Sequence, residues 1–266
     1  MEKIKSVVNN ELVKINNLLK NSVNKDNDIK NEVYNFLNSN SKRIRSILAI
    51  LYLKSNGINL TDNLAKVITA AELIHNASLL HDDVIDNAIY RRGDTTIAEK
   101  FSSKISILCG DYLVSAAVEL LSQINNIEIL DIFAKCTKKM CNAEIEQQLF
   151  SGQIPELIQY INIIEGKTAS LFSALLEACA ILTDKNRKIA QSIGNMFGII
   201  FQINNDMETD SAQNDKENGI NTVVNILGIE NAKSLKDNYK EEYRAIILLL
   251  PDNVYRNKLE DLVNLL

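Results

Sequence analysis

The 266-residue chain has no tryptophan, only two prolines, nine glycines and two histidines, and aromatic residues make up 6% of it. So little proline and glycine leaves few sites for tight turns, which argues against sheets built from hairpins and for long helices. A net charge of −5 denies the chain the basic face with which a general nucleic-acid binder displaces counterions. Cys109, Cys136, Cys141 and Cys179 form no CxxC pair and show no zinc-ligand spacing, so reduced, partly buried thiols are expected. No uninterrupted apolar run approaches the roughly 18 residues of a membrane span, and 245–250 is a run suited to a core helix. The first residues, Met-Glu-Lys-Ile-Lys, lead into an amphipathic pattern rather than the apolar stretch of a signal peptide. These absences point to a cytoplasmic, all-helical protein.

What is present supports that picture. Apolar residues make up 46% and charged residues 24%, an ordinary globular balance with enough apolar surface for a substantial core. Ile4, Val7, Val8, Leu12, Ile15, Leu18 and Leu19 make a helical stripe over 4–19. Further helices are predicted over 29–38 and 44–54, the latter closed by Asn56-Gly57. Thr61 or Asp62 is placed to cap a long helix running to about residue 88. That helix is apolar nearly all round, with Leu64, Val67, Ile68, Ala71 and Ile74 on one side and Ala70, Leu73, Ala77, Leu80 and Val84 on another. A helix without a wet face belongs inside a bundle. The pattern continues with helices near 104–124, 127–151, 155–183, 185–210, 229–249 and 252–265, and a polar loop over 209–221. No repeat, linker or composition shift divides the chain, so one all-α domain over residues 1–266 is expected.

Residues 81–96, His-Asp-Asp-Val-Ile-Asp-Asn-Ala-Ile-Tyr-Arg-Arg-Gly-Asp-Thr-Thr, carry the strongest chemical signal. On a helix Asp82 and Asp86 stand at i and i+4, with Asp83 beside them. Like charges at that spacing repel, and anions near a helix C-terminus oppose its dipole. The cluster costs stability unless cations occupy it. Carboxylate oxygens one turn apart suit Mg²⁺, which takes one or two carboxylates and shares its other positions with water and phosphates. Arg91 and Arg92 then offer planar donors to phosphate oxygens. A solvated acidic helix end followed by a basic turn is the plain alternative, but the order of the elements favours magnesium and diphosphate.

Weaker signals agree. His75 lies two turns before Asp82, roughly 10 Å along the axis, either a satisfied core histidine or a phosphate donor. Lys42-Arg43-Ile44-Arg45 opens a helix, where anions are favoured, and Lys42 and Arg45 there suit a diphosphate. Gly166-Lys167-Thr168-Ala169 places a lysine beside a hydroxyl; alone it could be a snorkelling surface residue. A second acidic cluster, Asn205-Asp206 to Asp210, ends another apolar helix and suggests a second wall of a metal-lined cavity.

Together these pieces resemble the trans-isoprenyl diphosphate synthases. Leu-Leu-His-Asp-Asp-Val-Ile-Asp over 79–86, followed by Arg91-Arg92-Gly93, is similar to the family's first aspartate-rich motif. Lys42-Arg43-Ile44-Arg45, Ile74-His75, Gly110-Asp111-Tyr112-Leu113, Lys167-Thr168-Ala169 and Phe201-Gln202 follow in the family's order. The resemblance implies an all-α bundle around a central substrate cavity, an Mg²⁺-dependent prenyltransferase and a homodimer. It implies that Asp82, Asp83, Asp86 and Asp206 bind the metal, and that Asp82, Asp83 and Lys167 are catalytic. It further implies that Arg91, Lys167, Thr168 and Gln202 hold an allylic prenyl diphosphate, and Lys42, Arg45, His75 and Arg92 hold isopentenyl diphosphate. The chain departs from the pattern where a second Asp-Asp-x-x-Asp is expected: Asn205, Asp206 and Thr209 stand there. Gly219-Ile220-Asn221-Thr222 likewise puts isoleucine where the family has lysine. Asn205, Asp206, Thr209 and Gln213 also resemble, less closely, a terpene-synthase metal motif. Two other functions therefore stand beside elongation. One is an enzyme that ionises an allylic diphosphate without lengthening it; the other is a non-catalytic subunit of a heteromeric synthase.

Overall fold

The structure, a computed structural model, describes residues 1–23, 26–38, 41–91, 93–208 and 221–266. The predicted helix over 4–19 is two, α1 (Glu2–Val7) and α2 (Asn9–Asn21), because Val8 leaves helical geometry at φ −119°, ψ 12°. α3 (Asp28–Asn38) and α4 (Ile44–Ser55) follow. α5 (Asp62–Ile85) is capped by Thr61, whose hydroxyl accepts from Leu64 N–H. It ends three residues before the predicted 88, because Asn87 takes the left-handed conformation at φ 51°, where asparagine is tolerated as a helix terminator.

A two-residue hairpin then pairs β1 (Tyr90–Arg91) with β2 (Asp94–Thr95), a strand pair that the composition did not anticipate. After it come α6 (Ile97–Lys100), α7 (Ser103–Ser122), α8 (Ile127–Leu149) and α9 (Leu157–Ile164). The helix expected over 155–183 is interrupted by one π turn, Glu165–Ala169, before α10 (Ser170–Leu182). α11 (Arg187–Met207), α12 (Val223–Leu227), α13 (Ile229–Ile247) and α14 (Val254–Asn264) complete the order. The all-α class holds.

The helices form two compact units. One comprises Met1–Ile4, Leu51–Asn59 and Asp131–Leu266; the other comprises Lys5–Ile50 and Leu60–Leu130. In the second unit α5 packs on α2 and α7, and its two predicted apolar sides are buried from Leu64 to Leu80. In the first, α10 packs on α11 and α11 on α13. Phe172, Phe197, Phe201 and Tyr243 gather there, with Phe172 and Phe197 edge to face at 5.3 Å. Such ring pairs add about 1 kcal/mol beyond area burial. Cys109, Cys136 and Cys179 are buried and Cys141 is exposed; burial pushes the Cys179 thiol up to about 12.

By length and composition α7 could cross a membrane, although Asp111 and Glu119 punctuate it so that no uninterrupted apolar run shows in the sequence. Its Leu113, Ala117 and Leu121 are buried in the protein.

Candidate functional site

The C-terminal turn of α5 presents the first acidic group. Asp82 and Asp86 are half-buried, whereas Asp83 is only 1% exposed. One residue advances a helix by roughly 100°, so Asp83 points inward rather than sharing the side of Asp82 and Asp86. There its Oδ1 accepts from Arg91 Nε, an ion pair made possible because the hairpin brings Arg91 back to the end of α5. The expectation of three carboxylates on one side, with Arg91 reserved for phosphate, is therefore modified. Among the described residues no group of three or more His, Cys, Asp or Glu side chains is placed to hold a metal ion. Asp82 and Asp86 still fit Mg²⁺ on donor chemistry, since two carboxylates and substrate phosphates meet that ion's usual demand. Arg92 lies outside the described residues.

Above it in the same unit, the cations of 42–45 take different roles. Lys42 is exposed and Arg45 is buried at 8%. Arg43 turns into the protein at φ 53° and anchors the start of α4. Its Nη1 lies 3.4 Å from Glu72 Oε2, its Nε donates to Asn16 Oδ1 at 3.1 Å, and its Nη2 donates to the Leu37 carbonyl. Glu72 Oε1 also accepts from Ser46 N–H at 3.2 Å and Ser46 Oγ at 2.7 Å. Sequence reasoning missed Glu72, although a carboxylate on an apolar helix signals a buried partner. His75, half-buried, follows Glu72 by three residues on α5.

The other unit supplies a second group around the π turn. π turns recur at functional sites because one inserted residue re-aims its neighbours. Thr168 Oγ1 donates to Gln202 Oε1 at 2.8 Å, joining two residues that the sequence assigned to one role. Lys167 Nζ lies 2.5 Å from Glu144 Oε2. Glu144, on α8, was not among the expected residues, and nothing in its local pattern marks it. Gln202 Nε2 donates to Asp206 Oδ1 at 2.7 Å, and Tyr160 Oη donates to Asp206 Oδ2 at 2.7 Å. Val223 N–H approaches that same oxygen at 3.5 Å. Asp206 is 4% exposed, and burial raises its carboxyl above the usual range while the bonds from Tyr160 and Gln202 pull it down. The expected metal ligand thus faces protein donors. Asn205 is half-buried; Thr209, Asp210, Gln213, Gly219 and Ile220 lie outside the described residues.

Residues 26–246 match the polyprenyl synthetase family model, and the chain belongs to that family. It is 32% identical over 213 residues to the octaprenyl diphosphate synthase of Haemophilus influenzae, covering 78% of this chain and 64% of that protein. It is also 32% identical over 207 residues to the short chain isoprenyl diphosphate synthase of Methanocaldococcus jannaschii, covering 74% of this chain and 62% of that one. The matches thus span less than two thirds of these curated relatives. The fold is that of the decaprenyl diphosphate synthase from Rhodobacter capsulatus, with a TM-score of 0.92 at 21% identity over 99% of this chain and 97% of that chain.

Proposed function

We propose that the chain is an Mg²⁺-dependent prenyltransferase that condenses an allylic prenyl diphosphate with isopentenyl diphosphate to give a longer trans-polyprenyl diphosphate. The observation that carries the reading is the Thr168–Gln202 hydrogen bond beside Lys167, within a chain whose family acts on such substrates. Lys167, Thr168, Gln202 and Arg91 are assigned to the allylic diphosphate, and Lys42, Arg45, His75 and Arg92 to isopentenyl diphosphate. Asp82 and Asp86 are assigned to the metal, with Asp83 orienting Arg91. Bound Mg²⁺ supplies positive charge to the departing diphosphate. As the allylic C–O bond breaks, Lys167 and Arg91 stabilise the charge gathering on the leaving oxygens. The alkene of isopentenyl diphosphate attacks the freed carbon, and a proton passes to the released diphosphate, so no protein nucleophile is needed.

Three further assignments belong to this reading. The two units serve as one isoprenoid-synthase domain. The protein is cytoplasmic, with α7 a helix of the folded protein rather than a membrane span. It is a homodimer, in keeping with the family resemblance; Ile107, Leu108 and Val118 of α7 are 43%, 62% and 47% exposed, apolar side chains available to a second copy.

The test is incubation of the pure protein with Mg²⁺ and labelled allylic diphosphate, with and without isopentenyl diphosphate. Elongation is expected only with both, and Asp82→Ala is expected to abolish it while the fold persists. Diphosphate release without elongation would instead favour the terpene-synthase-like function, for which the neutral Asn205 is the supporting observation. No reaction at all would favour the non-catalytic subunit.

A further inference from the structure

We infer that Asp206 is not a metal ligand in this protein but a positioning residue, a buried acceptor that fixes the direction of the Gln202–Thr168 hydrogen bond. The inference rests on the allylic-diphosphate role proposed for Thr168 and Gln202. Tyr160 Oη already donates to one carboxylate oxygen of Asp206, and Gln202 turns its amide NH₂ toward the other and its carbonyl away. The carbonyl then meets Thr168, which is bound to donate rather than accept. The observed bonds have this polarity: Thr168 Oγ1 to Gln202 Oε1 at 2.8 Å, and Gln202 Nε2 to Asp206 Oδ1 at 2.7 Å. The second amide hydrogen of Gln202 and the lone pairs of Thr168 are thereby set in fixed directions. Without Asp206 the amide could flip and reverse both.

The same carboxylate has little to offer a cation. Tyr160 Oη at 2.7 Å and Val223 N–H at 3.5 Å meet Oδ2, Gln202 Nε2 at 2.7 Å meets Oδ1, and the residue is only 4% exposed, whereas Mg²⁺ usually keeps several waters. A cation there would have to share these oxygens with buried protein donors and shed most of its water, at the cost of loosening hydrogen bonds inside the protein. Asn205, the neighbour in the first aspartate position of the second motif, is uncharged. The second motif has therefore kept a carboxylate where it orders protein donors, and carries a neutral amide in the adjoining position.

The test uses Mn²⁺ as a paramagnetic stand-in and inorganic pyrophosphate as the anion. Bound Mn²⁺ is counted by electron paramagnetic resonance and pyrophosphate affinity is measured by calorimetry, on the full chain and on Asp206→Asn and Tyr160→Phe. Asp206→Asn is expected to keep the Mn²⁺ count and affinity of the parent while binding pyrophosphate about tenfold more weakly, the scale of one lost charge-assisted bond. Tyr160→Phe should shift pyrophosphate in the same direction by less, and it keeps the test open if Asp206→Asn fails to fold. In turnover, the KM for the allylic substrate should rise while half-saturation by Mg²⁺ stays fixed, a split that general loosening would not produce. Loss of one Mn²⁺ per chain in Asp206→Asn, or unchanged pyrophosphate affinity in the folded variants, overturns the inference alone. A parent chain that binds no pyrophosphate overturns the reading beneath it.

Discussion

Arg43 and Glu72 show how residues outside the proposed diphosphate set can govern those within it. The pair is 9% and 2% exposed at the side chains and 3.4 Å apart, and it ties the left-handed turn at Arg43 to the middle of α5. Lys42 and Arg45 flank that turn, so their placement depends on it. Removing one partner leaves a buried charge uncompensated, a loss of about 3–5 kcal/mol. Glu72→Gln should therefore lower the urea midpoint and raise the KM for isopentenyl diphosphate more than that for the allylic substrate. Arg43→Met combined with Glu72→Met should cost less stability than either single change, because no orphaned charge remains. Equal rises in both KM values would mean that the pair supports the fold without favouring one diphosphate. The sequence exposed the cations of 42–45 as a group but not their division of labour. Spacing reveals which residues are neighbours along the chain, whereas Arg43 meets partners from 6 to 29 residues away.

At the scale of elements, the crossing of α10 and α11 sets the π turn. A Cβ on Gly198 would lie 2.4 Å from Ala169 Cα and 2.7 Å from its Cβ, and Ala169 adjoins Thr168. Gly198→Ala must push the turn away from α11 or strain both helices, at about 1–3 kcal/mol. The expected outcome is a lower melting temperature together with weaker allylic-diphosphate binding, read by thermal unfolding and by KM. A destabilised variant with unchanged KM would show that the turn moves without taking Thr168 along. Helices were legible here wherever apolar residues recurred at the helical period, as along α5, α7 and α13. Their interruptions were not. Val8 is fully buried and keeps the stripe intact while the backbone breaks, and the π turn inserts its extra residue without a proline to mark it. The hairpin at 90–95 is too short for alternation to register. The direction of Asp83 was not legible either: burial and the returning Arg91 decide where its carboxylate points.

At the scale of the whole molecule, the residues assigned in the proposed reaction come from widely separated segments of the chain, 42–92 and 167–202. The motif order made that set legible, while the acceptors and anchors that orient it, Glu72, Glu144 and Tyr160, emerged only from the folded chain. Product length depends on a position between these classes. Ala77 and Ser78 stand five and four residues before Asp82, where the resembling short-chain enzymes commonly carry an aromatic ring. Ala77 is 1% exposed within α5, and Ser78 Oγ turns back to donate to the His75 carbonyl at 2.9 Å. Neither presents a bulky stop, which favours a product beyond about fifteen carbons if chain growth is limited sterically at this turn. Ala77→Tyr adds a phenol ring where a methyl group packs, and some stability should be lost to overpacking, on the order of 1–3 kcal/mol. The surviving folded enzyme should make a shorter chain, because the ring occupies volume that the growing prenyl tail would otherwise fill. Chromatography of the dephosphorylated products provides the measurement. A shift to shorter alcohols places the stop at this turn of α5; an unchanged distribution from an active Ala77→Tyr enzyme places it on another element.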